Sequence, residues 1–330
     1  MGSPVGRWLE VVDRYYLSDF VASGGSAFKL LLTQDEDQTQ EALSGLRDLA
    51  DKHGYFYAQI SAAKTRIDLI QEILFEVARQ VDWLRLAERD AADLIKALGY
   101  VVPNNVPLTD LRTIARTNGV EESDIRLAIH RATEREIAQD RDMCKDFRVA
   151  MMHLRASRFF ETNVTPTEAD TLVGWLRGEK VGLAALRRLG IYSRIDRHNA
   201  RDMLNALTHW LVKSGNKGVL ICTDLAALLC DRRPMEPEGA SLHYPRARFL
   251  DACEVLRQFI DDTDELTHCL LCCVGPNELE THEKQSFFRY RALAHRLIDE
   301  VRDLNRPNPL AAMVRATDLA QCPEANPYGR

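Results

Sequence analysis

The sequence is short of the features that would assign it quickly. No apolar run approaches the about 18 residues that a bilayer-spanning helix needs, so no membrane span is expected. Met1-Gly2-Ser3-Pro4 leads into no secretory-type apolar core. Eight cysteines in 330 residues are too few for a disulfide scaffold, so reduced thiols and a cytoplasmic protein are expected. Positive charge is not in excess. The formal net charge is −6, which argues against a protein basic over its whole surface and built to coat nucleic acid. Neither an H-E-x-x-H zinc pattern nor a G-x-S-x-G nucleophile elbow occurs. None of the nine histidines falls in a ligand spacing.

What is present is a pattern of short apolar runs and helical stripes. Trp8, Leu9, Val12, Tyr15, Tyr16 and Phe20 have helical spacing, and Ser23-Gly24-Gly25-Ser26 interrupts it. Ala27–Leu32, Tyr55–Ile60, Val219–Thr223 and Cys269–Val274 read as buried strands. Between the first two lies polar Thr33–Gln40, then a helical stretch that ends at Gly54. Asp68 is a candidate cap for the helix that follows. Helices also fit Phe249–Ile260 and the region around Arg289 to Asp303, with a tail of loop and short elements from Pro307 to Arg330.

Residues 83–216 are mostly helical by pattern. The dense mixed charge from Glu121 to Arg158 suits a solvated face. Strands alternating with helices predict a parallel sheet covered on both faces. Residues 1–82 and 217–330 would be two parts of one α/β core, and 83–216 a large helical insertion. Ligands of such sheets bind beyond the carboxyl ends of the strands. The loops at Thr33–Gln40 and from Asp224 onward are therefore the first places to look.

A phosphate-binding loop after the first strand needs glycines, so that backbone amides can approach phosphate, and a lysine to neutralise it. Thr33-Gln34-Asp35-Glu36-Asp37-Gln38-Thr39-Gln40 has neither, and it carries three consecutive acids. Carboxylates repel a polyphosphate.

His268-Cys269-Leu270-Leu271-Cys272-Cys273 contains a C-x-x-C spacing, but no second ligand pair accompanies it, and buried thiols are the simpler reading. Cys222, Cys230 and Cys253 read as core. Between 177 and 201, Arg177, Lys180, Arg187, Arg188, Arg194, Arg197 and Arg201 face only Glu179 and Asp196 as opposing charges. Such a patch suits DNA phosphates or an acidic partner, and a solvated face would look the same. Acidic clusters at Asp35, Glu36, Asp37 and Glu41 and at Asp261, Asp262, Asp264 and Glu265 complement it, an arrangement that suits heteromeric assembly.

Several stretches resemble one family. Trp8–Leu17, Gly24–Leu30, Trp175–Lys180, Asn199–Leu204 and Gln258–Asp264 are similar to signatures of the ATP-binding proteins of bacteriophage-exclusion (BREX) systems, their D group in particular. The resemblance runs from residue 8 to about 318. It implies a P-loop, AAA+-like ATPase sheet with helical additions. In the family's register the phosphate-loop lysine would stand at Thr39 and its last glycine at Gln38. The second acidic motif is reduced to Asp224, and Asn277 with Glu278 stands where a polar sensor would be.

The resemblance therefore implies an ATPase fold with degenerate motifs, for which tight ATP or magnesium binding is not expected. It implies a regulatory or structural subunit paired with an active ATPase paralogue and other defence proteins in a hetero-oligomer, on DNA. An atypical active ATPase and a DNA-binding adaptor are the alternatives. Arg289, Arg291 and Arg296 are candidates to reach a neighbouring subunit's phosphates in trans.

Overall fold

Apolar runs bounded by turn residues become strands, and amphipathic stripes become the helices that cover them. The computed structural model describes residues 3–160, 164–229, 241–298 and 308–320. The chain opens with α1 (Pro4–Val11), which continues as a π-helical stretch, Val12–Phe20. β1 (Ser26–Thr33), α2 (Glu36–His53), β2 (Phe56–Ser61) and α3 (Ile70–Arg79) follow. Then come α4 (Trp83–Ala97), α5 (Leu111–Asn118), α6 (Glu122–Thr133), α7 (Lys145–Ala156), α8 (Pro166–Leu176), α9 (Leu183–Arg188) and α10 (Ala200–Lys213). The chain returns to the sheet with β3 (Val219–Asp224), α11 (Arg246–Asp261), β4 (Cys269–Pro276), α12 (Glu278–Thr281), α13 (Arg291–Leu297), β5 (Met313–Arg315) and α14 (Ala316–Ala320). The chain divides into two compact units, Met1–Ile73 with Leu211–Arg330, and Leu74–Trp210.

The first unit holds a five-stranded parallel sheet of order β2-β3-β4-β1-β5. It is an α/β fold of the P-loop-like kind. The chain leaves β1 toward β2 at one edge, and after β4 it crosses to β5 at the other. The strand order therefore reverses beside β1, and the switch point lies at the carboxyl ends of β1 and β4. Trp8, Val12, Leu43, Leu46, Leu31, Leu220, Leu270, Val274 and Val314 belong to one buried cluster, formed by α1, α2 and one face of the sheet.

Cys222, Cys253, Cys269, Cys272 and Cys273 are buried free thiols. Burial pushes Cys222 and Cys269 up to about 12, so both stay protonated and unreactive at neutral pH. Cys230 lies outside the described residues. In the second unit Leu94, Ile95, Leu111, Ile114, Ile125, Ile129 and Phe159 form the centre of a separate helical core.

Three expectations change. Thr33–Gln40 is not a loop, because α2 begins at Glu36 and leaves only Gln34 and Asp35 as the turn. Asp35 caps the helix, and Glu36 and Asp37 sit in its first turn, where negative charge complements the positive helix end. Asp68 is not a cap; it pairs with Arg66 at 2.5 Å, and α3 starts two residues later. The late helix is shorter than its pattern, Arg291–Leu297. Residues 299–307 lie outside the described residues.

β5 was readable only as a short element of the tail. It is three residues long and pairs with Leu30, Leu31 and Leu32. Side chains hold it in place. Lys29 Nζ donates to the carbonyls of Leu310 and Ala311, at 2.6 Å each, and lies 4.6 Å from the Tyr16 ring centre. Tyr16 Oη also donates to Leu310 O, at 3.3 Å, and Arg7 donates to Leu319 O at 2.8 Å.

Candidate functional site at the carboxyl end of the sheet

The strands deliver Thr33, Ser61, Asp224 and Pro276 to one edge, with Thr33 opposite Pro276 and Asp224 between Ser61 and Val274. Asn277 N donates to Thr33 O at 2.9 Å, which joins the β4 exit to the β1 exit. Thr33 and Thr39 are both buried, and their hydroxyl oxygens lie 2.7 Å apart. Gly275 O lies 3.2 Å from the Thr33 hydroxyl and accepts from it. With Thr39 donating to Thr33, both hydroxyls are satisfied inside the protein. Gly275 packs closely here, since a Cβ would lie 2.6 Å from Leu279 Cδ1 and 3.0 Å from Leu225 Cβ, so that one of the two leucines would have to shift.

The start of α2 is also committed internally. Asp35 Oδ1 accepts from Gln38 N at 2.8 Å, and Gln38 Oε1 accepts from Gln34 N at 3.1 Å. Gln34, Asp35, Glu36 and Asp37 are exposed, and Gln38 is half-buried. Asp224 Oδ1 accepts from Ala226 N at 3.0 Å and so caps the short turn after β3. Burial raises the Asp224 carboxyl above its ordinary value, and the nearby Glu36 charge raises it further. Asn277 begins the turn into α12, and its Oδ1 is a buried acceptor with no hydrogen-bond partner.

The remaining sequence candidates lie away from this edge. Arg296 pairs with Asp261 through two hydrogen bonds and donates to Ala292 O, whereas Arg289 and Arg291 are exposed. In the second unit Arg177 donates to Val81 O at 3.1 Å and is half-buried. It caps α8 just before Gly178, whose φ is +75° and whose Cβ would lie 2.5 Å from the Phe75 ring. The stretch Trp175–Lys180 is thus a helix stop. Lys180, Arg187, Arg188, Arg194 and Arg197 are exposed, and Arg201 is half-buried.

Two features of this unit carry no sequence signal. Tyr192 stands 65% exposed among these arginines. Asp140, Asp142 and His209 are the one group of three carboxylate or imidazole ligands, among the described residues, whose ligand atoms lie within 4.8 Å of one another. Here His209 Nε2 is 3.0 Å from Asp140 Oδ2.

The family model for the BREX system ATP-binding protein BrxC/D matches residues 96–322. This chain belongs to that family. The matched residues include most of the second unit and the strands β3 and β4, while β1 and α2 precede them. No curated protein and no solved structure matches the chain. The family is one of a multi-protein anti-phage defence system. No described helix is long and apolar enough to cross a membrane.

The family's description implies a nucleotide, whose phosphates would have to approach the carboxyl edge of the sheet. A phosphate there needs free amides at the helix start and a cation. Here Gln38 N is already capped by a carboxylate, and Thr39 is buried and hydrogen-bonded to Thr33. Asp35, Glu36 and Asp37 crowd negative charge at the helix start.

Proposed function

We propose that this chain is a non-catalytic, regulatory or structural subunit of a bacterial anti-phage defence complex, assembled with an ATPase-competent relative of its own family. The observation that carries the reading is Asp35. Its carboxylate takes the place of a phosphate at the α2 N-terminus and satisfies Gln38 N from within the chain. Asp224 accepts from the Ala226 amide, and its burial disfavours the charged form that a magnesium ion would need. Arg289 and Arg291 are exposed and free to approach a neighbour's phosphates, whereas Arg296 is committed to Asp261. Co-expression with the intact relative and size-exclusion chromatography tests the pairing. The expected result is one hetero-oligomeric peak whose ATPase rate falls when Arg289 and Arg291 are changed together to alanine. Separate elution of the two proteins contradicts the proposal.

A second reading assigns the basic segment of the helical unit to nucleic-acid phosphates. It is supported by Lys180, Arg187, Arg194 and Arg197, which are exposed and make no ion pair among the described residues. Arg155 and Arg177, by contrast, are engaged inside the unit. Electrophoretic mobility shift at low salt checks it, because phosphate contacts weaken steeply as salt rises. No shift at low salt contradicts it.

A further inference from the structure

We infer that Tyr192 is a base-stacking platform and that the loop carrying it binds single-stranded nucleic acid. The inference rests on the reading of the basic segment as a phosphate contact. Residues 187–198 contain four arginines and a single acid, with Tyr192 between the arginine pairs. Tyr192 is 65% exposed, more than any other large hydrophobic side chain among the described residues. Its ring packs on no aromatic or cationic neighbour and its hydroxyl has no hydrogen bond among the described residues.

The backbone beneath it is fixed. α9 ends in a left-handed Gly190 (φ +79°), with Ile191 N donating to Leu186 O at 3.0 Å and Gly190 N to Arg187 O at 3.1 Å. Ile191 and Ile195 are buried on either side of Tyr192 and Arg194. The Ser193 hydroxyl donates to the Asp146 carboxylate, and His153 Nε2 lies 2.9 Å from Leu189 O. Asn199 closes the segment, accepting from Asp196 N at 2.9 Å and donating to Arg194 O at 3.0 Å. The loop therefore presents an aromatic ring and arginines outward on an anchored frame, with little ordering left to do on binding.

The choice of partner follows from the ring. A duplex keeps its base faces stacked internally, so an exposed tyrosine gains little from it. An unpaired strand offers free base faces beside its phosphates, the combination that stacking platforms in positively charged grooves exploit. An acidic protein would satisfy the arginines by charge alone, whereas an unpaired strand uses the charge and the ring face together.

Fluorescence anisotropy of the full-length protein with labelled oligothymidylate, and with a duplex of the same length, tests the inference. The expected result is tighter binding to the single strand, lost about 5- to 100-fold in Tyr192→Ala and kept in Tyr192→Phe. The double variant Arg194→Gln/Arg197→Gln should weaken binding to both probes and flatten the salt dependence. If Tyr192→Ala binds the single strand like the parent while the arginine variant weakens it, the stacking role is overturned and the phosphate reading stands. Binding to neither probe at low salt overturns both, and leaves an acidic protein as the partner of this face.

Discussion

Replacing Lys29 by methionine should release the β5 edge of the sheet. Lys29 is 2% exposed, and its Nζ donates to the carbonyls of Leu310 and Ala311. Methionine keeps the length and the apolar stem, so what disappears is the donors and the ammonium over the Tyr16 ring. Two lost hydrogen bonds contribute about 1–3 kcal/mol. Ala311 is half-buried, so water replaces the lost donor at its carbonyl only in part, while Leu310 is 44% exposed and its carbonyl can rehydrate. A total loss of about 2–4 kcal/mol follows, with β5 amides exchanging ahead of those of β1, β3 and β4.

The pH dependence is a second readout. Burial pushes Lys29 down to about 7. The unfolded chain therefore holds the extra proton between about 7 and the ordinary value of 10.5, and in that window wild-type stability gains on the variant as pH rises. The slope is at most about 1.4 kcal/mol per pH unit. Urea titrations of both proteins at about pH 6, 7.5 and 9 measure it. A wild-type advantage that is constant across them, or that grows toward acid, would refute the claim that burial dominates at Lys29.

Two further substitutions test the packing of each unit. Arg155 is 3% exposed, with Nε and Nη2 on the Asp90 carboxylate at 2.6 and 2.7 Å and Nη1 on Glu136 at 3.1 Å. Arg155→Ala leaves the largely buried Asp90 unpaired and should cost about 3–5 kcal/mol by chemical denaturation. Gly275→Ala forces Leu279 or Leu225 to move at the carboxyl edge and should cost about 1–3 kcal/mol, seen as a lower Tm.

Much of the fold was legible because the central strands are fully apolar. Leu30-Leu31-Leu32, Val219-Leu220-Ile221 and Leu270-Leu271 have no exposed face to alternate with, so each reads as a run buried on both sides. β5 was not legible as a strand. Three residues carry no periodicity, and its place depends on a lysine and a tyrosine about 280 to 300 positions earlier in the chain. The start of α2 is hard to read from sequence for a local reason. Three acids in a row resemble a solvated loop until Asp35 is recognised as a cap, with Glu36 and Asp37 as favourable first-turn charges.

The same division holds at the candidate site. Asp224 and Asn277 could be placed from strand ends alone, because Asp224 follows the run Val219–Thr223 directly and Asn277 comes three residues after Val274. The hydroxyl pair of Thr33 and Thr39 could not be. It forms only because the intervening turn is two residues long, which brings the first helical turn back over the strand end. Tyr192 gives no signal by spacing. An exposed and a buried tyrosine are the same letter, and its setting emerges from the alternation of Ile191, Tyr192, Ser193, Arg194 and Ile195 in a segment without regular structure.

The central claim is that the carboxyl edge of the sheet does not hold a nucleotide. Isothermal titration of the full-length protein with ATP and magnesium measures this directly. The account predicts no saturable heat at micromolar protein, with no phosphate released over the same period. Saturable binding accompanied by turnover, both abolished in Asp224→Ala, would contradict it and establish an atypical ATPase instead.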